Sequence, residues 1–148
     1  MSLVEQVSAG IMEAMKAKNT DRLRALRSIK STFLLLKSAE GAGEVTDELC
    51  IKALQKMAKQ RKDSLDIYIE QGREDLALVE HSDLAVINGF LPTQLSQSEI
   101  EARVKQLISE TGSLSLKDLG KVMPLAMKSM VGIADGKLIS ETVKKLLT

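Results

Sequence analysis

The run Leu91-Pro92-Thr93-Gln94-Leu95-Ser96-Gln97-Ser98-Glu99 divides this sequence in two. Proline has no amide hydrogen to donate, and its ring pushes the preceding residue toward extended angles. A helix arriving at Leu91 therefore has to stop. Just beyond, Ser96 and Glu99 have the spacing of a capping box, in which serine and glutamate satisfy each other's orphan amides and open a new helix. A stop followed closely by a start, with helical periodicity on both sides, predicts an all-α chain. A four-helix N-terminal part, residues 1–92, is expected to join through the Leu91-Pro92 hinge to a small three-helix C-terminal part, residues 93–148.

Upstream of that run, Leu3, Val7, Ile11 and Met15 mark one face of a first helix. Thr20 or Asp21 can cap a second, with Leu26, Ile29, Phe33 and Leu36 inward and Gly41-Ala42-Gly43 at its end. Thr46 or Asp47 opens a long third helix that carries Cys50, Leu54, Met57, Leu65 and Tyr68 on one stripe. Gly72 stops it, because glycine takes the left-handed cap without steric cost. A fourth helix runs from about Arg73 to Gly89, with Leu76, Val79, Leu84 and Ile87 as its apolar positions. Downstream, Ile100, Val104, Leu107 and Ile108 define a helix that ends at Thr111-Gly112. Ser115-Leu116-Lys117-Asp118 opens the next, with Leu119, Val122, Met123, Ala126 and Met130 inward. Pro124 lies inside that pattern, and a local kink is expected where its ring meets the carbonyl of Gly120. After Gly132 and the Asp135-Gly136 turn, Leu138, Ile139, Val143, Leu146 and Leu147 mark a last short helix.

Charge is balanced, 21 Lys and Arg against 20 Asp and Glu, so the chain as a whole does not attract polyanions. With two Phe, one Tyr and no Trp, stacking of bases on exposed rings is excluded as a binding device. A single cysteine, Cys50, rules out an internal disulfide and fits a reducing compartment. No basic start with a long apolar core introduces the chain, and no apolar run approaches the roughly 20 residues of a membrane span. These features predict a cytoplasmic protein without a membrane partner.

The residues that carry chemistry are sparse. His81 is the one histidine, so with one cysteine no multi-ligand His/Cys metal site can be assembled. On a mostly polar face, His81 is expected to be solvated. Gly41-Ala42-Gly43 lacks the preceding strand of a dinucleotide site and reads as a linker. Cys50 reads as a small core hydrophobe. No nucleophile–base arrangement, cofactor site or metal site is predicted.

Two features stand out. From Lys16 to Lys37, seven basic residues (Lys16, Lys18, Arg22, Arg24, Arg27, Lys30, Lys37) face a single acid, Asp21. Of these, Arg24 and Arg27 lie off the apolar stripe of the second helix, where their charges can reach a phosphate. A second cluster, Lys52, Lys56, Lys59, Arg61 and Lys62, reads as a solvated face with weak pairs such as Lys59–Asp63. Arg61 is the exception. It falls in line with Leu54, Met57, Leu65 and Tyr68, and is expected to lie largely buried in a structural ion pair with a carboxylate of another helix.

The order of the motifs Lys59-Gln60-Arg61-Lys62-Asp63-Ser64, Gln71-Gly72-Arg73-Glu74-Asp75-Leu76 and Leu91-Pro92-Thr93-Gln94-Leu95-Ser96 resembles the GatB/YqeY family. Leu119-Gly120-Lys121-Val122-Met123, Gly132, Ala134-Asp135-Gly136-Lys137-Leu138 and Val143-Lys144-Lys145-Leu146-Leu147 fit the same family, as do Met15-Lys16-Ala17-Lys18 and Arg22 through Arg27. The resemblance covers essentially the whole chain, as in stand-alone YqeY-like proteins. It implies an all-α fold whose C-terminal part is similar to the tail of the GatB subunit of glutamine-dependent aspartyl/glutamyl-tRNA amidotransferase. The label it carries is carbon-nitrogen ligase activity with glutamine as amido-N-donor, although the lysine and paired serines of an amidase are missing. The implied role is a non-catalytic accessory protein that binds tRNA or another structured RNA. From the resemblance, Lys121, Lys128 and Lys137 are the candidate contacts; from charge clustering, Lys16, Lys18, Arg24 and Arg27. The sequence departs from the family at Gly132, which Val131 and Ile133 flank where relatives are often basic. The alternative expectation is a protein–protein adaptor in translation or aminoacyl-tRNA metabolism, using an apolar groove between the two parts.

Overall fold

A computed structural model describes residues 1–39 and 43–148, and among them helix is the only regular structure. The elements are α1 (Leu3–Lys16), α2 (Thr20–Ser38), α3 (Asp47–Glu70), α4 (Glu74–Gly89), α5 (Gln97–Thr111), α6 (Leu119–Ser129) and α7 (Gly136–Leu147), with a 3-10 turn at Leu116–Asp118. The all-α expectation holds. α2 ends at Ser38; Gly41 and Ala42, expected to end it, lie outside the described residues.

Local chemistry explains most boundaries. Ser2 with Glu5 and Ser96 with Glu99 form complete capping boxes at the starts of α1 and α5. Thr46 caps α3 by accepting the amide of Leu49. The cap of α2 is Asn19 rather than Thr20 or Asp21, its side-chain oxygen accepting the amide of Arg22 at 3.1 Å. The cause lies one residue earlier. Lys18 takes a left-handed conformation, φ 55°, that closes α1 and delivers Asn19 to the capping position. At Ser115 the expected helix start is a 3-10 turn instead, because Asp118 turns back to accept the amide of Leu114 at 2.8 Å. α6 runs through Pro124 to Ser129.

The chain forms two compact units, Met1–Leu91 and Pro92–Thr148. In the first, Leu3, Val7 and Ala14 of α1, Leu26, Ile29 and Phe33 of α2, Cys50, Leu54 and Met57 of α3, and Ile87 of α4 form one core. Each large side chain so buried contributes roughly 1.5–3 kcal/mol of transfer free energy. At Gly10 a Cβ would meet Leu26 Cδ1 at 3.3 Å, so glycine lets α1 and α2 approach closely. In the second unit, Ile100 and Val104 of α5, Val122, Ala126 and Met130 on and after α6, Ala134, and Ile139, Val143 and Leu147 of α7 form a separate core. Pro92 is tied to this second unit: Gln94 Nε2 donates to Pro92 O at 2.8 Å and to Gly132 O at 2.9 Å.

The face of α4 differs from expectation. Its buried residues are Ala77, Glu80, Asp83 and Ile87. Val79 is exposed, and the adjacent Leu78 is 69% exposed. Two carboxylates occupy inward positions that the apolar pattern had assigned to Val79 and Leu84.

Candidate functional site

Those carboxylates are held by arginines from two other helices. Asp83 Oδ1 accepts from Arg24 Nη2 of α2 at 2.9 Å, and Asp83 Oδ2 lies 3.9 Å from Arg61 Nη1 of α3. Glu80 Oε2 lies 3.3 Å from the same Arg61 nitrogen. Arg24 also donates through Nη1 to Asp21 Oδ1 at 3.0 Å. The Arg24 pKa is raised above its ordinary value, chiefly by the hydrogen bond to Asp83, against the lowering effect of partial burial. The arrangement cross-links α2, α3 and α4 through charge. Arg61 is not largely buried: its side chain remains 32% exposed. The acids are the buried members, because a long guanidinium stem can reach inward while its head keeps contact with water.

This geometry removes Arg24 from the set of free cations, since both ends of its guanidinium are engaged inside the unit. Lys16, Lys18 and Arg27 have exposed side chains, as do Lys121, Lys128 and Lys137. Lys121 Nζ stands 3.6 Å from Asp118 Oδ1. Lys121 and Lys128 share one side of α6, about two turns apart at ~3.6 residues per turn, while Lys137 belongs to α7. Cys50 is fully buried, and burial pushes its thiol pKa up.

A cleft of about 450 Å³ opens between α2 and α3, lined by Thr32, Leu35, Leu36, Leu49, Lys52, Ala53, Lys56, Met57 and Gln60. α3 packs chiefly against α4 and meets α2 along a shorter seam, which leaves their outer edges parted. Helical spacing does the rest. The turn that buries Cys50, Leu54 and Met57 sets Leu49, Lys52, Ala53, Lys56 and Gln60 along the neighbouring ridge, facing the Leu35–Leu36 edge of α2. Leu35 is 70% exposed and Leu49 is also exposed, so apolar surface stands in water here. Among the described residues no carboxylate lines the cleft. Lys52 and Lys56 are like charges at i, i+4, a spacing that destabilises a helix by a few tenths of a kcal/mol. Among the described residues no ion pair offsets it at either lysine.

A second, shallower cleft of about 280 Å³ lies between α3 and α4, lined by Leu65, Ile69, Glu74, Ala77, Leu78 and His81. His81 is exposed, as expected, but it borders this apolar surface rather than a polar face.

Sequence reading missed the inward placement of Glu80 and Asp83 and the position of Lys52 and Lys56 along the cleft. For the first two a signal exists, since they fall in phase with Ala77 and Ile87. For the lysines there is none, because the same pattern also describes a solvated face.

Comparison with known proteins fixes the relationship. The family model described as Yqey-like protein matches residues 4–147. A relative from Lachancea thermotolerans is 32% identical over 126 residues, 80% of this chain and 66% of that protein. One from Meyerozyma guilliermondii is 32% identical over 113 residues, 74% of this chain and 58% of its own length. One from Saccharomyces cerevisiae is 28% identical over 140 residues, 90% of this chain and 71% of its own. All three are named altered inheritance of mitochondria protein 41, mitochondrial. The chain thus spans less than two thirds of the length of the first two relatives.

These findings correct two expectations. The cytoplasmic assignment gives way to relatives that are named as mitochondrial proteins. The reading as a tRNA-binding accessory with a carbon-nitrogen ligase label, and its alternative as an adaptor in translation, give way to relatives named for the inheritance of mitochondria. The engagement of Arg24 with Asp83 weakens the RNA reading from the structural side as well. Among the described residues, no helix is long and apolar enough to cross a membrane.

Proposed function

This chain belongs to the family of Yqey-like proteins, and from that premise we propose that it is a protein-docking module serving the process for which its relatives are named, the inheritance of mitochondria. Its working surface is the α2–α3 cleft. The observation that carries this reading is the exposure of Leu35 and Leu49 beside Lys52 and Lys56 in a concave site. Apolar side chains kept in water cost free energy that a partner covering them recovers, and the two exposed lysines beside them set the charge such a partner must present.

The test is replacement of the relative in Saccharomyces cerevisiae. Cells lacking their own protein receive this chain behind a mitochondrial leader, and the fraction of daughter cells that inherit mitochondria normally is counted. The wild-type chain is expected to restore inheritance. A Leu35→Glu variant, altered at an exposed position where folding is little affected, is expected to accumulate equally and fail. Restoration by both, or by neither, overturns the proposal.

A further inference from the structure

We infer that the occupant of the α2–α3 cleft is an amphipathic helix of another protein, apolar along one face and flanked there by carboxylates. The inference rests on the reading of this cleft as the working surface and names what fills it. Shape comes first. Leu49, Lys52, Ala53, Lys56, Met57 and Gln60 follow each other at steps of three, one, three, one and three along α3. That ridge is about 16 Å long at ~1.5 Å rise per residue. The Leu35–Leu36 edge of α2 faces it. A trough with two helical walls and an apolar floor accepts a third helix through anchors at i, i+3 or i+4, and i+7. An occupant of about three turns matches the length of the α3 wall.

Charge decides the sign of the partner. Lys52 and Lys56 stand one turn apart on the rim, and among the described residues no acid lines the site. Both ammonium groups therefore meet whatever runs along that wall, and carboxylates one turn apart on the occupant complement them. A nucleic-acid backbone would satisfy the lysines but leave Leu35, Leu49 and Met57 against phosphate and sugar. The apolar floor favours a peptide.

The probes are fluorescein-labelled helical peptides of about 14 residues (~21 Å as helix), one with leucines on one face flanked by glutamates, one with lysines in place of those glutamates. Binding to the full chain is read by fluorescence anisotropy at physiological salt. The acidic peptide is expected to bind at least about tenfold more tightly than the basic one, the scale expected when two rim ion pairs become repulsions. Lys52→Glu/Lys56→Glu is expected to invert that preference, a reversal that loss of folding cannot mimic, and Leu35→Glu to weaken the acidic peptide. Equal binding of both peptides, or an unchanged preference in the double variant, overturns the inference. So does displacement of the acidic peptide by an RNA hairpin at lower concentration, or by a second copy of the chain in sedimentation. If the acidic peptide fails while Leu35→Glu still abolishes mitochondrial inheritance, the docking module stands and only its occupant is wrong. If the peptide binds as expected while Leu35→Glu supports normal inheritance, the assignment of the biological process falls instead.

Discussion

Arg24 Nη2 and Asp83 Oδ1 meet at 2.9 Å although 59 positions separate them in the chain. Asp83 is thereby served by two arginines, Arg24 from α2 and Arg61 from α3, each of which has a second acid of its own, Asp21 and Glu80. Removing one arginine leaves Asp83 the other. Removing both leaves two buried carboxylates without a cation among the described residues.

The consequence is non-additivity. Arg24→Ala and Arg61→Ala are each expected to cost about 1–2 kcal/mol, within the range for a weakened buried acceptor. The double variant should cost more than their sum, by about 0.5–3 kcal/mol of coupling. Urea denaturation of the four proteins in the cycle measures it. Additivity within about 0.3 kcal/mol would mean that the two arginines act independently.

Lys18 pays for its position at the end of α1. A non-glycine residue in the left-handed region costs about 1 kcal/mol, and here it donates its amide to Met15 O at 3.2 Å while Asn19 donates to Ala14 O at 3.0 Å. Lys18→Gly is expected to raise stability by up to about 1 kcal/mol, seen as a higher thermal midpoint. Ala17→Gly, at an ordinary right-handed position, should lower it. A lower midpoint for Lys18→Gly would show that its side chain does more than end a helix.

Acid should loosen the second unit. Glu99 sits below its ordinary pKa of 4.5, chiefly because it accepts the backbone amide of Ser96, and Asp118 below 3.8, chiefly because it accepts that of Leu114. A lowered carboxylate pKa means that folding favours the ionised form. Its contribution is complete above the ordinary value and is lost as pH falls through the folded-state value. Stability should therefore be level from pH 4.5 upward with respect to Glu99 and decline below it. The Glu99→Gln/Asp118→Asn variant should be less stable at neutral pH and show a shallower decline in acid. Equal slopes in the two proteins would contradict this account.

Cys50 gives a probe of the first core. Its sulfur is shielded and its thiol pKa is raised by burial, so little thiolate is available to react. Modification by a thiol reagent in native buffer is expected to be far slower than in urea, its rate tracking the opening of the first unit. A native rate close to the unfolded one would place Cys50 at the surface.

What the sequence disclosed and what it withheld divide along the range of the interactions. Ser96 and Glu99 settle a helix start among themselves, as do Thr46 and Leu49, so these starts could be read from a few adjacent residues. The inward face of α4 could not be read from its apolar residues alone, although the phase of its acids with Ala77 and Ile87 was there to see. Ala77, Glu80, Asp83 and Ile87 form a helical stripe only when two acids are admitted to it, and what admits them is a pair of arginines on two other helices. The α2–α3 cleft was hidden for a similar reason. Lys52 and Lys56 look like any solvated ridge until α2 is placed beside them, with Leu35 turned outward.

The two capping boxes have a bearing on synthesis. Ser2 with Glu5 and Ser96 with Glu99 stand at the first helix of each unit, and each closes within four consecutive residues. Each unit also holds its own core. A chain leaving the ribosome therefore meets a self-contained start signal twice, once at the head of each core.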